Sequence, residues 1–238
     1  LVVEYDGDKT PLVLVERIEH ALYPDIVQDP IDNTAYWNSY YQNKLCPTEP
    51  SPFARYVATL ADPGTDFLEL GCGNGRDAMF FAGLGFRVSA LDLSETAIRE
   101  LNSQSIPNAR FFCADFVNWD GYTPSSFDYA YSRFTLHSIN RSQQGMLLQT
   151  IHRILRPGGK FFIEVRSVHD PLYGRGEPLE HNAFFYDNHY RRFIVLDELT
   201  AALRECGFLI EYAQEKTGFA PYGNDDPPVI RIVAKIPG

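Results

Sequence analysis

From Ala35 onward, short apolar runs alternate with segments whose apolar residues return every three or four positions, a pattern that predicts parallel β-α-β units instead of a sandwich. Two short helices, Tyr36 to Asn43 and Pro52 to Leu60, come first. Asp66 to Leu70 is an apolar strand. Arg76 to Leu84 then sets Ala78, Phe81 and Ala82 on one helical face. Phe86 to Leu91 is a second strand, after which Ser94 caps a helix through Glu95, Ile98 and Leu101. Arg110 to Cys113 and Phe127 to Tyr131 follow as the third and fourth strands. Asn140 and Gln143 make a capping box ahead of Met146, Leu147, Thr150, Ile151 and Ile154, a helix that Pro157-Gly158-Gly159 is expected to end. Lys160 to Val165 is a fifth strand, Leu196 to Cys206 a helix closed by Gly207, and Phe208 to Gln214 and Val229 to Ala234 two last strands.

Residues 1–33 have a different character. Leu1 to Tyr5 and Leu12 to Glu16 are strand-like runs around the turn signal Asp6-Gly7-Asp8-Lys9, which suggests a hairpin. The stretch from Tyr23-Pro24-Asp25 to Asp29-Pro30-Ile31-Asp32 is too rich in proline and acid to bury much surface, and reads as a linker. The expected organisation is an appendage over 1–33, a remnant of a preceding domain, and one main domain over 34–238. The start has neither an initiator methionine nor the basic flank and apolar stretch of a signal peptide, so the chain is read as a cytoplasmic segment cut from a longer polypeptide.

Composition narrows the partners. Apolar runs such as Lys160-Phe161-Phe162-Ile163 are short and broken by charge, far from the roughly 20 residues that span a bilayer, so no membrane partner is expected. The net charge of −10 argues against a nucleic-acid backbone, whose binding needs a basic face. The four cysteines, at 46, 72, 113 and 206, show no close pairing and are read as reduced. No metal is expected. The least acidic long stretch is 160–192, with five Lys or Arg against five Asp or Glu and three of the six histidines.

Candidate chemistry lies where strands meet helices. In Phe67-Leu68-Glu69-Leu70-Gly71-Cys72-Gly73-Asn74-Gly75-Arg76-Asp77, an apolar strand enters a loop with glycines at alternate positions, which lets the backbone turn sharply and a ligand approach without meeting a Cβ. The third glycine comes one place earlier than in the dinucleotide fingerprint. Asp92 ends the second strand, where a carboxylate can accept from two vicinal ribose hydroxyls, or simply favour the N-terminus of the following helix. Asp115, in Phe112-Cys113-Ala114-Asp115-Phe116, is placed to accept from an adenine amino group while Phe116 packs on the ring; a surface Asp beside a core Phe is the alternative. All three positions fall at the carboxyl ends of successive strands, where open α/β sheets bind ligands.

With these residues in place, the sequence resembles the class I S-adenosylmethionine-dependent methyltransferases over roughly residues 34–236. Phe127-Asp128-Tyr129-Ala130-Tyr131-Ser132 matches that family's fourth strand, and Leu155-Arg156-Pro157-Gly158-Gly159-Lys160 is among its most specific markers. The resemblance implies a doubly wound, mostly parallel seven-stranded α/β sheet of Rossmann-like type with an antiparallel final hairpin. It implies S-adenosylmethionine as cofactor and S-adenosylhomocysteine as product, held by Glu69, Gly71, Cys72, Gly73, Asn74, Gly75, Arg76, Asp92, Leu93, Asp115, Phe116 and Ser132. Arg76-Asp77 after the glycines, with Trp37, Tyr40, Tyr41 and Pro50-Ser51-Pro52-Phe53 before the first strand, looks like the small-molecule branch related to tellurite-resistance and thiopurine methyltransferases. There the segment before the first strand covers the cofactor, which makes Tyr36, Trp37 and Tyr40 candidates for the lid and Tyr41 a candidate acceptor contact. An amphipathic helix packing its aromatics on the sheet would look the same.

Arg133 and His137 follow the fourth strand, where family members place residues near the transferable methyl group, and His137 is a candidate general base for a hydroxyl acceptor. Arg166, His169, His189, Arg191 and Arg192 lie in the segment where the family builds part of its acceptor pocket, and their charge suggests a small anionic acceptor: phosphate, phosphonate, carboxylate or a sugar-linked molecule. Surface pairing of Arg191 and Arg192 with Glu177, Glu180 or Asp187 is the competing reading. Two other functional classes stay open at this point: a nicotinamide-dependent oxidoreductase and a cofactor-binding domain without catalysis.

Overall fold

The computed structural model describes residues 34–43 and 46–238, with Asn43 described by its backbone alone. The appendage, hairpin and linker expected over 1–33 lie outside the described residues. In chain order the elements are α1 (Thr34–Asn43), α2 (Pro52–Val57), β1 (Asp66–Leu70), α3 (Arg76–Gly83), β2 (Arg87–Asp92), α4 (Glu95–Ser103), β3 (Ala109–Cys113) and β4 (Phe127–Arg133). A single 3-10 turn at Leu136–Ser138 leads to α5 (Arg141–Ile154), β5 (Leu155–Arg166), β6 (Glu177–Glu180), β7 (Ala183–Tyr186), β8 (His189–Arg192), α6 (Leu196–Glu205), β9 (Leu209–Lys216) and β10 (Val229–Lys235).

Seven strands form one sheet in the order β3-β2-β1-β4-β5-β10-β9. The pairs from β3 through to β5 are parallel, and β10 runs antiparallel to both β5 and β9. Strand order reverses direction at β1, with β2 on one side and β4 on the other, which opens a crevice at the carboxyl ends of these two strands. Register aligns those ends: Leu70 lies opposite both Leu91 and Ser132, and Asp92 opposite Cys113.

Both sheet faces are buried, and period-two alternation divides the core between them. Leu68, Leu70, Ala130, Ile163 and Ile232 pack under α5 and α6 with Leu147, Ile151, Leu199 and Leu203. Phe67, Tyr131, Phe162 and Val233 pack on the other face with Phe53, Val57, Phe81 and Ile98. The predicted caps are formed: the Ser94 hydroxyl accepts from Ala97 N–H, and Asn140 and Gln143 exchange bonds as a capping box.

Two expectations need correction. Pro157-Gly158-Gly159 does not end the helix: α5 stops at Ile154, Leu155 already pairs with Phe127, and the Pro-Gly-Gly string lies within β5 at an irregularity in the β4 pairing. Gly159 is needed there because a Cβ would come within 2.8 Å of the carbonyl oxygens of both Arg156 and Asp128. The second short helix also ends at Val57, short of the predicted Leu60. The segment after β5, for which the sequence suggested no elements, folds into the antiparallel meander β6-β7-β8. Among the described residues, all four cysteines are free, no helix is long and apolar enough to cross a membrane, and no cluster of metal-ligating side chains occurs.

Candidate active site

The crevice at the β1–β4 reversal holds a cavity of about 300 Å³. Its floor is the loop after β1. Cys72 N–H bonds the Leu91 carbonyl at 2.8 Å, tying the loop to β2, and Gly71, Gly73 and Gly75 all have positive φ, of 68, 56 and 75°. A Cβ on Gly71 would collide with Thr135, and one on Gly73 with the Tyr41 hydroxyl, so the backbone of this turn is pressed directly against the cavity wall. Asp92 is buried and holds the loop: one carboxylate oxygen accepts from Gly73 N–H at 2.7 Å and the other from Ser94 N–H at 2.8 Å. Burial pushes its carboxyl upward, while the amides of Ser94, Gly73 and Leu93 pull it back.

Asp77, just inside α3, locks the loop to the segment before β1. One of its oxygens accepts from Ser51 N–H at 2.7 Å, the other from the Ser51 and Tyr131 hydroxyls at 2.7 and 2.8 Å, while Ser51 itself caps α2 by accepting from Ala54 N–H. Glu69, in β1 just before the glycine loop, is buried with Oε2 free of any partner; burial, and after it the neighbouring Asp77, drives its carboxyl well up toward the neutral form.

α1 roofs the cavity. Asn38 accepts from the Ser94 hydroxyl at 3.1 Å and from Thr96 N–H at 3.3 Å, anchoring the helix over the start of α4. Tyr36, Trp37, Tyr40 and Tyr41 form a contiguous aromatic cluster facing the cavity, and Tyr36 stacks on His189 with centroids 4.4 Å apart.

The wall opposite the glycine loop is cationic. Arg133, Arg166 and Arg191 reach it from β4, β5 and β8. Between the first two sits Phe134, held at φ 56°, a conformation a bulky residue adopts only where its surroundings force it, with the guanidinium carbons of Arg133 and Arg166 4.4 and 5.4 Å from its ring centre. Arg133 Nε bonds Glu164 at 2.9 Å, and the other Glu164 oxygen takes Arg231 Nε at 2.6 Å. Arg166 bonds Asp170 at 2.5 Å. Arg191 has no carboxylate in an ion pair among the described residues, and its Nε is buried without a partner. His137 and His189 complete this wall. Both are buried; His137 Nδ1 and both ring nitrogens of His189 lack partners. Burial first, and then the surrounding arginines, hold His137 well below the ordinary imidazole range and His189 down to about 3.

The structure therefore gathers Tyr36, Trp37, Tyr40, Tyr41, Glu69, Gly71, Cys72, Gly73, Asn74, Arg76, Asp92, Leu93, Phe116, Arg133, His137, Arg166, His189 and Arg191 around one cavity. Five candidates lie outside its lining, each for a visible reason. Gly75 is the N-cap of α3. Asp115 accepts from Val117 N–H and Asn118 Nδ2 in its own turn. Ser132 bonds Thr135. His169 points away to Glu215 at 2.5 Å. Arg192 corrects both readings made of it: alternation along β8 turns it from the cavity, and instead of pairing with surface acids it is buried, donating to the Ile139 and Leu136 carbonyls and to Gln144. Those bonds pin β8 to the 3-10 turn and so deliver His189 and Arg191. Asp77, Phe134 and Thr135 were missed. Asp77 stood in the glycine string itself, but nothing in sequence marks the left-handed turn at Phe134.

The residues present suit a nucleoside with an amino-acid tail: a glycine cradle that a Cβ would fill, a buried carboxylate beside it, and a buried carboxyl oxygen with no partner. A family model described as a methyltransferase domain matches residues 37–213. The chain belongs to that methyltransferase family, and its fold is that of the class I S-adenosylmethionine-dependent enzymes. It is 33% identical over 92 residues to a malonyl-[acyl-carrier protein] O-methyltransferase of Pseudescherichia vulneris, covering 39% of this chain and 35% of the relative. It is 28% identical over 183 residues to "Probable thiol methyltransferase 2" of Arabidopsis thaliana, covering 71% of this chain and 77% of that protein. Its fold superimposes with a TM-score of 0.62, at 22% identity, on the Burkholderia thailandensis 1,6-didemethyltoxoflavin-N1-methyltransferase solved with its acceptor and S-adenosylhomocysteine, covering 99% and 94% of the two chains. The chain spans 35% and 46% of the length of the first two curated relatives it matches.

Proposed function

We propose that this chain transfers a methyl group from S-adenosylmethionine to a small anionic acceptor. One observation carries the reading: a single cavity joins a glycine cradle and its buried carboxylate to a wall of three arginines. Asp92 keeps a free lone pair on each oxygen for the ribose hydroxyls. The partnerless Glu69 oxygen is assigned to the methionine ammonium, and Phe116 and Leu93, which line the same cavity, to the adenine. The cofactor supplies an electrophilic methyl on a sulfonium whose departure needs no proton, so the protein's part is to hold acceptor and donor in line. Arg166 and Arg191 are assigned to the acceptor's charge, since guanidinium groups present parallel donors to an anionic oxygen pair. A thiol acceptor, as in the name of the Arabidopsis relative, would ionise to a comparable anion. The free thiols suit a reducing cytoplasmic setting.

Calorimetry with S-adenosylmethionine, followed by a screen of small carboxylates, phosphates, phosphonates and thiols for a mass gain of one methyl group, tests the proposal. Binding without methyl gain on any acceptor would favour a non-catalytic binding domain, and nicotinamide binding in its place would overturn the assignment.

A further inference from the structure

We infer that the acceptor reacts as a preformed anion held by Arg166 and Arg191, with none of the described residues around the cavity serving as its base. The inference rests on the function proposed above and addresses what happens to the acceptor's proton.

The groups around the acceptor wall argue for it in turn. From β4 comes Arg133, from β5 Arg166, and from β8 His189, Arg191 and, behind the turn, Arg192. The acids on this side are already committed: Glu164 to Arg133 and Arg231, Asp170 to Arg166. Asp187, in the turn before β8, is exposed. On the opposite wall Asp77 is held by Ser51 and Tyr131, Asp92 belongs to the glycine loop through the Gly73 and Ser94 amides, and Glu69 is driven toward its neutral form. The tyrosines of α1 that face the cavity, Tyr36, Tyr40 and Tyr41, are pushed away from ionisation by burial. That leaves the two buried imidazoles, His137 and His189, and besides burial the guanidinium groups that would greet an anion are the ones that disfavour a proton on either. A proton taken up there would sit against these positive charges, whereas the same charges favour the anionic form of anything bound beside them.

The chemistry balances without a base. A lone pair of the acceptor anion forms the new bond to the methyl carbon as the carbon–sulfur bond breaks, its electrons pass to sulfur, and no proton moves. The acceptor loses one negative charge as the sulfonium loses its positive one. A carboxylate or thiolate has then lost the charge that Arg166 and Arg191 held, and a dianionic phosphate or phosphonate half of it, so the cluster separates substrate from product and favours release.

The test is calorimetry on the full chain loaded with S-adenosylhomocysteine, using benzoate, its neutral isostere benzamide, and thiophenol, in buffers of differing ionisation heat. Benzoate is expected to bind and benzamide not, and Arg191→Ala to weaken benzoate about 10- to 100-fold. At a pH about one unit below the solution pKa of thiophenol, its binding is expected to release about one proton to buffer, unchanged in His137→Gln. Binding without proton release in the parent means that the thiol binds neutral or hands its proton to the protein, with release restored in His137→Gln naming His137 as the base, and either result overturns the inference. Failure of both anions to bind protein that does hold S-adenosylhomocysteine also overturns it, while leaving the proposed function standing; failure to bind S-adenosylhomocysteine at all removes the proposed function itself.

Discussion

Gly73 donates its amide hydrogen to the Asp92 carboxylate at 2.7 Å, which joins the glycine loop to the end of β2 in one unit. Asp92 thus has a structural task besides any ligand, and two substitutions separate the two. Asp92→Ala is expected to weaken S-adenosylmethionine by about 2 to 3 kcal/mol, or 30- to 150-fold, and to lower the melting temperature because Gly73 and Ser94 lose their acceptor. Asp92→Asn keeps an acceptor oxygen for Gly73, so it should melt closer to the parent while still binding the ligand less tightly. Unchanged calorimetric affinity in the alanine variant would remove Asp92 from the ligand site.

Gly73 itself sits at φ 56° with the Tyr41 hydroxyl where a side chain would be. Gly73→Val should abolish cofactor binding while the fold survives at a cost of about 1 to 3 kcal/mol from the strained backbone. Circular dichroism and calorimetry together check this. A variant that fails to fold would make the loop chiefly a structural turn.

The sheet and the glycine-loop side of the cavity were legible in the sequence because their signals are local. Asp66 to Leu70 matches β1 residue for residue, and the Ser94 and Asn140 caps form as read, since strand period, helix period and cap chemistry are all written within a few neighbouring residues. The arginine wall was only half legible. Arg191 and Arg192 are adjacent and chemically alike, yet the pleat of β8 sends one into the cavity and the other into the packing against Ile139, and the sequence suggested no strand there to decide between them. His169 was misplaced because the turn after β5 directs its ring to Glu215 on β9, a partner 46 residues away in sequence. Phe134 could not have been read at all, because its left-handed turn is imposed by packing between two arginines brought together by β4 and β5.

Register explains a further expectation. Arg133, Glu164 and Arg231 lie opposite one another on β4, β5 and β10, so a fully buried carboxylate is shared by two guanidinium groups in a straight cross-strand row. Burial raises the Glu164 carboxyl, and the two arginines pull it back down. Glu164→Gln should destabilise the fold by about 3 to 5 kcal/mol, because Arg231 would remain buried without its countercharge. Chemical denaturation measures it. A loss below about 1 kcal/mol would mean that Arg231, which also donates to the Phe219 carbonyl, is satisfied without Glu164.

The buried imidazoles set the acid side of the stability profile. His189 is held down to about 3 from an ordinary value near 6.5, so the unfolded chain binds its proton first as pH falls. Stability contributed by keeping it neutral is complete above about pH 6.5 and drains away as pH drops toward the folded value. His137, shifted the same way, adds to this. Melting temperature should therefore decline between about pH 6.5 and pH 4.5, before most carboxylates begin to protonate. His189→Phe, which keeps a ring on Tyr36, should flatten that decline; an unaltered slope would show that His189 does not carry it.

Trp37 offers a direct view of the roof. Of the two tryptophans, Trp37 faces the cavity among Tyr36, Tyr40 and Tyr41, while Trp119 packs on Phe112 and Tyr122 beside β3, outside the cavity lining. The Tyr41 hydroxyl lies where a side chain on Gly73 would be, so a ligand seated on the glycine cradle is expected to displace Tyr41 and change the surroundings of Trp37, whose ring lies 6.2 Å from that of Tyr41. Titration with S-adenosylhomocysteine is expected to change tryptophan emission in the parent and in Trp119→Phe, and to leave most of the change missing in Trp37→Phe. Emission that still responds fully in Trp37→Phe would place the movement elsewhere and leave the aromatic face of α1 as packing alone.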